Sequence, residues 1–109
     1  MATFRATFFD TTTRASDGIG KTVEVPTLRG ATGLDELTSS GTADNLEDGA
    51  SEWTAPSDGF VEIYSDGAVW VSGGASPTAA VGTDFYLPAN EVRYYGVTSG
   101  DKISVIDDS

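Results

Sequence analysis

Residues 60–72 read Phe60-Val61-Glu62-Ile63-Tyr64-Ser65-Asp66-Gly67-Ala68-Val69-Trp70-Val71-Ser72, two runs rich in β-branched and aromatic residues with Asp-Gly between them. Asp-Gly in that setting is the signature of a two-residue hairpin turn, because both turn positions require positive φ and these residues adopt it with little strain. The turn would fix the register: Ser65 faces Ala68, Tyr64 faces Val69, Ile63 faces Trp70 and Glu62 faces Val71. One face of the expected hairpin then carries Val61, Ile63, Ala68 and Trp70 and is assigned to the core. The other carries Phe60, Tyr64, Val69 and Val71 around Glu62. That face is too apolar for open solvent and is expected to lie under a second sheet, a loop or a neighbouring subunit.

Downstream, a Gly/Ala/Ser/Pro connection from Gly73 to Gly82 leads into three further short runs, Phe85–Leu87, Val92–Tyr95 and Lys102–Ile106. Pro88-Ala89-Asn90 and Thr98-Ser99-Gly100-Asp101 have the composition of turns between them. The reading is a meander, closed by a half-buried strand in which Lys102, Ser104 and Asp107 alternate with Ile103 and Val105. Tyr94 and Tyr95 are adjacent on one strand and therefore point to opposite faces, so one of them belongs outside the core or under a second layer.

Upstream the pattern is less regular. Thr3–Phe9 and Thr22–Leu28 read as strands, the second restricted to a sheet edge by Pro26. Thr32, followed by Asp35, is expected to cap a brief helical turn containing Leu34 and Leu37. The polar stretch Thr38–Glu52 is long for a structureless loop and is expected to order against a neighbour.

The whole therefore reads as one all-β domain over residues 1–109, a small antiparallel β-sandwich or barrel-like fold with long loops. It has an irregular part at 1–52 and a compact part at 53–106. No apolar pattern of helical period persists, and a chain of 109 residues has room for one core. Two Trp, five Phe and four Tyr supply large buried areas from few positions.

With 17 Asp and Glu against 6 Lys and Arg, the formal charge is -11. Arg5, Arg14, Lys21, Arg29, Arg93 and Lys102 are dispersed, which argues against nucleic acid or anionic lipid as partner. There is no Cys and no His. Disulfides, thiolate chemistry, imidazole metal sites and His-dependent triads are thereby excluded. No signal peptide or spanning segment is read, and synthesis in the cytoplasm of the cell that makes the chain is the expectation.

Little else carries chemistry. Gly18-Ile19-Gly20-Lys21 lacks the spacing of a phosphate loop and reads as a turn. Asp35/Glu36, Glu47/Asp48 and Asp107/Asp108 read as solvated charge on loops and tail, short of the ligand loop that Ca²⁺ requires. A carboxylate-pair hydrolase and an aromatic carbohydrate platform (Trp53, Phe60, Tyr64, Trp70, Tyr86, Tyr94, Tyr95) are weaker readings than solvation and core packing. No catalytic residue, metal site or cofactor is assigned. The candidate interface residues are Phe60, Tyr64, Val69, Val71, Tyr94 and Tyr95.

The order Trp53-Thr54-Ala55-Pro56-Ser57-Asp58-Gly59-Phe60-Val61, Ser76-Pro77-Thr78, Phe85-Tyr86-Leu87-Pro88-Ala89 and Tyr95-Gly96-Val97 through Gly100-Asp101-Lys102-Ile103-Ser104-Val105-Ile106 resembles small virion structural proteins of tailed bacteriophages. The resemblance covers the second half of the chain. It implies a β domain attached to the head or tail; with no catalytic residue, an acidic surface and a hairpin apolar on both faces, the expectation is a non-enzymatic capsid decoration or cement protein on the outer surface of the head, bound to the major capsid protein and forming a homotrimer. The alternative it leaves is a β domain of a tail fibre, spike or baseplate that contacts a host receptor. Ala55-Pro56-Ser57-Asp58-Gly59 and Gly100-Asp101 are also faintly similar to biotinyl and lipoyl carrier domains, but the Asp66-Gly67 tip has no lysine to modify.

Overall fold

The computed structural model describes residues 1–10, 12–16, 22–26, 30–49 and 51–108, with 12–16 and 22–26 described by backbone alone. The described residues form strands and loops without a helix, arranged as two antiparallel sheets packed face to face with two small ribbons. The strands are β1 (Thr3–Phe9), β2 (Thr12–Ser16), β3 (Thr22–Pro26), β4 (Ala31–Gly33), β5 (Leu37–Thr38), β6 (Asp44–Asn45), β7 (Glu47–Asp48) and β8 (Ser51–Glu52). They continue as β9 (Gly59–Ser65), β10 (Val69–Gly74), β11 (Phe85–Leu87), β12 (Val92–Val97) and β13 (Lys102–Asp107).

One sheet runs β12-β9-β1-β4, with β5 also on β1; the other runs β11-β10-β13-β6. The ribbons are β2-β3 and β7-β8. The small antiparallel β-sandwich expected from the sequence is the observed fold. Its core is built from alternate residues of the facing sheets: Phe4, Ala6, Phe8, Val61 and Ile63 from one, Val69, Leu87, Ile103 and Val105 from the other. Trp53 closes one end, its ring 5.5 Å from that of Phe8. Behind it, Ala55 donates to the Asp101 carbonyl and accepts from the Gly100 amide.

The stretch 60–72 departs from the hairpin reading. β9 pairs with β1 and β12, whereas β10 pairs with β11 and β13, so Asp66-Gly67 carries the chain from one sheet to the other. Gly67 does not take a positive φ. It is needed for room: a Cβ there would lie 2.9 Å from that of Ala2. The link is tied to the start of β1, where the Thr3 amide donates to Asp66 Oδ1 at 2.8 Å and the Asp66 amide donates to the Thr3 carbonyl at 3.2 Å.

Changing sheets shifts the parity of β10 by one residue, which inverts its faces. Val69 is fully buried and Val71 packs on the core, while Trp70 lies on the outer face against Tyr86, ring centroids 5.0 Å apart. The expected placement of Trp70 inside and of Val69 and Val71 outside is therefore corrected; Val61 and Ile63 are in the core as expected. The meander is corrected for the same reason, since β10, β11 and β13 share one sheet while β12 belongs to the other.

Upstream, β1 alternates as read, and Phe9 is buried as well. Pro26 ends β3, whose only partner among the described residues is β2. Thr27 and Leu28 of the expected run, and the Gly18–Lys21 turn, lie outside the described residues. The helical turn at Thr32–Leu37 is replaced by β4 and β5, both paired to β1, with the Leu34 amide donating to the Ala6 carbonyl. Pairing with a central strand satisfies those backbone groups better than one isolated helical turn.

The described residues of Thr38–Glu52 order on their own chain. Leu46 is fully buried and exchanges backbone bonds with Ile103 and Trp53, and β6 pairs with β13. Ser39, also fully buried, accepts from the Ala2 amide at 2.8 Å and donates to the Asp107 carboxylate. The outer face of β13 is covered too, because Ser104 accepts from the amide of buried Ala79 in the 75–84 loop.

Candidate binding edge

β11 and β12 are the terminal strands of the two sheets, on the same side of the sandwich. β11 has three residues, and Asn90, at φ 63°, turns the chain from it into β12. That turn is pinned to β9 by the Asn90 amide on the Ser65 carbonyl at 2.8 Å and by the Tyr64 hydroxyl on Asn90 Oδ1 at 2.9 Å. The exposed large apolar side chains concentrate here: Phe85 and Tyr86 on β11, Val92, Tyr94 and Tyr95 on β12, with Val81 in the loop before β11.

Tyr94 and Tyr95 take opposite faces, as alternation requires. Tyr94, 53% exposed, lies on the outer face opposite Glu62 and donates its hydroxyl to that carboxylate at 2.5 Å. This bond to a carboxylate, helped by partial burial, raises the phenol above its ordinary value. Tyr95 is on the inner row opposite Val61, and its ring meets Phe85 of the other sheet edge-on at 4.7 Å. Burial raises its phenol as well, against the nearby Arg93 charge.

Behind the Phe85–Tyr95 pair is an apolar cleft of about 290 Å³, walled by Val61, Ile63 and Val97 on one side and Val71, Gly73 and Ile103 on the other. Its origin is a missing side chain. Gly73 is paired with Ile103 on the inward row of β10, and a Cβ there would find its nearest neighbour, the Lys102 carbonyl oxygen, at 3.7 Å. Gly96 and Val97 also line a second, more open groove of about 430 Å³ that contains Asp10 and Asp58. Asp101 lines the apolar cleft itself.

Of the interface residues read from sequence, Phe60 and Tyr64 are half-buried on the outer face with Tyr94, and Tyr95 is at the cleft mouth. The parity shift takes Val69 out of that set, into the core, and turns Val71 inward, where it lines the cleft. Phe85, Val92, Gly73, Asp10 and Asp58 were not singled out. The signal for β11 was its isolation as a three-residue run between turns, which marks an edge strand. Gly73 carried no local signal.

Members of two of the carboxylate pairs are tied to other parts of the chain. Asp35 accepts from the Gly49 amide, Glu36 pairs with Arg5 at 2.5 Å and Asp108 accepts from Trp70 Nε1 at 2.9 Å. Burial works against the charge on Asp107, but the Ser39 hydroxyl and the N-terminal ammonium at 3.0 Å prevail and hold its carboxyl below the ordinary value. The Lys102 ammonium, 2.8 Å from Glu52, lowers that carboxyl too. Among the described residues no three metal-capable side chains converge, and no helix is long and apolar enough to cross a membrane.

Set against protein-family models, curated proteins and solved structures, the chain has no significant match in any of the three comparisons.

Proposed function

We propose that the chain is a virion structural protein of a tailed bacteriophage, a decoration or cement protein that binds the outside of the head and stabilises contacts between coat subunits. The observation that supports this best is the gathering of exposed aromatic and aliphatic side chains along one open edge of an otherwise acidic sandwich. Exposed apolar surface concentrated in one place is the mark of a protein interface. An overall charge of -11 suits the exterior of a particle whose interior holds DNA. Within this reading, trimer formation belongs to the outer face carrying Phe60, Tyr64 and Tyr94. Quantitative densitometry of purified particles tests the assignment: copies comparable to the coat lattice are expected, and absence from particles, or a number matching the tail, would refute it.

A second reading, a receptor-contacting tail domain, is favoured by one feature. Trp70 and Tyr86 pack with their rings tilted by 55° on the outer face of the second sheet, beside the Asp108 carboxylate. Aromatic rings next to a hydrogen-bond acceptor suit a sugar face. Glycan-array binding that disappears with Trp70→Ala, in a variant that still folds, would select it.

A further inference from the structure

We infer that the cleft between β11 and β12 is the docking site for a partner's polypeptide segment, which inserts one apolar side chain beneath Phe85 and Tyr95 and lays adjacent Lys or Arg residues against Asp10 and Asp58. The inference rests on the reading that this chain works by binding, and it names the surface used and the chemistry recognised.

Three features define the occupant. The first is size. The cleft holds about 290 Å³, at the lower limit of small-molecule pockets, and fits one large aliphatic or aromatic side chain. The second is shape. The site is open along a sheet edge, between two terminal strands, and an extended segment can lie along such an opening with one side chain turned in. Arg93 stands on the inward row of β12 and pairs with Glu91, a charge that discourages indiscriminate strand addition along the edge.

The third is charge. A second groove, which shares Gly96 and Val97 with the cleft, carries Asp10 and Asp58, and Asp101 lines the cleft. Among the charged residues, Asp58 is held in place by the Ser99 amide at 2.9 Å and Asp101 by the Thr98 amide at 2.9 Å. Among the described residues no cation lines either cavity. A basic segment complements this surface, whereas a second copy of a chain with charge -11 brings further repulsion to it.

The test is a titration of the full chain, labelled with ¹⁵N, with three synthetic peptides. One has a central Leu flanked by lysines; one replaces that Leu by Gly; one replaces the lysines by Glu. The first is expected to shift amides of Val61, Ile63, Val71, Phe85 and Gly96 in a saturable manner, and each control to bind at least tenfold more weakly. Gly73→Leu, which projects into the cleft from a position where an added Cβ meets nothing closer than 3.7 Å, should weaken the first peptide at least tenfold. Asp10→Asn with Asp58→Asn should weaken it severalfold and flatten its salt dependence.

Shifts elsewhere, equal binding by Gly73→Leu, or equal binding of the glutamate peptide would overturn the inference. So would concentration-dependent dimerisation that shifts the same amides without peptide, since the occupant would then be a second copy. Particle densitometry decides the parent reading separately: copies at coat stoichiometry with no peptide in the cleft sink the site alone, and a working cleft on a chain absent from particles sinks the virion assignment alone.

Discussion

Replacing Gly67 by Ala tests the sheet-to-sheet link at its tightest point. The added methyl carbon would sit 2.9 Å from Ala2 Cβ, well inside the optimum of about 3.5–4.0 Å for two carbons. Ala2 is buried, and its amide is held by Ser39, so the contact cannot open freely. Overpacking of this kind costs roughly 1–3 kcal/mol, and for a domain of about 100 residues each kcal/mol lowers Tm by about 4–8 °C. Ala2→Gly alone should also destabilise, by about 0.8 kcal/mol for the lost methyl and roughly 0.5–1 kcal/mol for backbone freedom. Combined, the two changes should partly cancel, because the glycine at position 2 makes room for the methyl at 67. A double-mutant cycle by denaturant unfolding is expected to show a favourable coupling of about 1–2 kcal/mol. In a hairpin with positive φ at Gly67 there would be nothing for Ala2→Gly to relieve. Additivity within roughly 0.5 kcal/mol would therefore refute the packing account and restore the hairpin.

Three other outcomes follow from the same geometry. Val69→Asp should abolish folding, since an unpaired charge at a fully buried site costs several kcal/mol, while Trp70→Asp on the outer face should leave a folded protein; circular dichroism distinguishes the two, and the reverse order would invert β10. Ser39→Ala should cost about 1–3 kcal/mol in chemical denaturation, because it removes partners from the Ala2 amide and the Asp107 carboxylate. The lowered carboxyl of Asp107 contributes stability that is present above its ordinary value of 3.8 and lost as pH falls through the lower folded-state value, so Asp107→Asn should flatten the acid limb of the stability curve below about pH 4 while leaving its slope near neutrality unchanged.

What could be read from the sequence was what local chemistry decides. Alternation put Val61 and Ile63 inside, spacing located β11, β12 and β13, adjacency separated Tyr94 from Tyr95, and the absence of helical periodicity gave the fold class. The errors came from contacts remote in sequence. Asp-Gly is compatible with a tight hairpin and with a link between sheets, and the choice is made by Ala2 and Thr3, more than sixty residues away. A one-residue difference in parity then exchanged the faces of β10, which moved Val69 into the core and turned Val71 toward the cleft. Thr38–Glu52 looked unstructured because its anchors are few: Ser39 and Leu46 are its fully buried residues among those described, and Ser39 is held by Ala2 and Asp107 at the two ends of the chain, Leu46 by Ile103 and Trp53. The cleft was invisible for a related reason, as a glycine at position 73 reveals a gap only when β10 is known to face β9 and β12.

Add-back to heads tests the proposed decoration role directly. Heads purified without this chain are incubated with the recombinant protein, sedimented, and assayed for bound copies and for the temperature at which they release DNA. The account predicts saturable binding at a copy number set by the coat lattice and a higher release temperature, both diminished by Gly73→Leu. Heads that bind no protein, or bind it without any gain in thermal resistance, would contradict it.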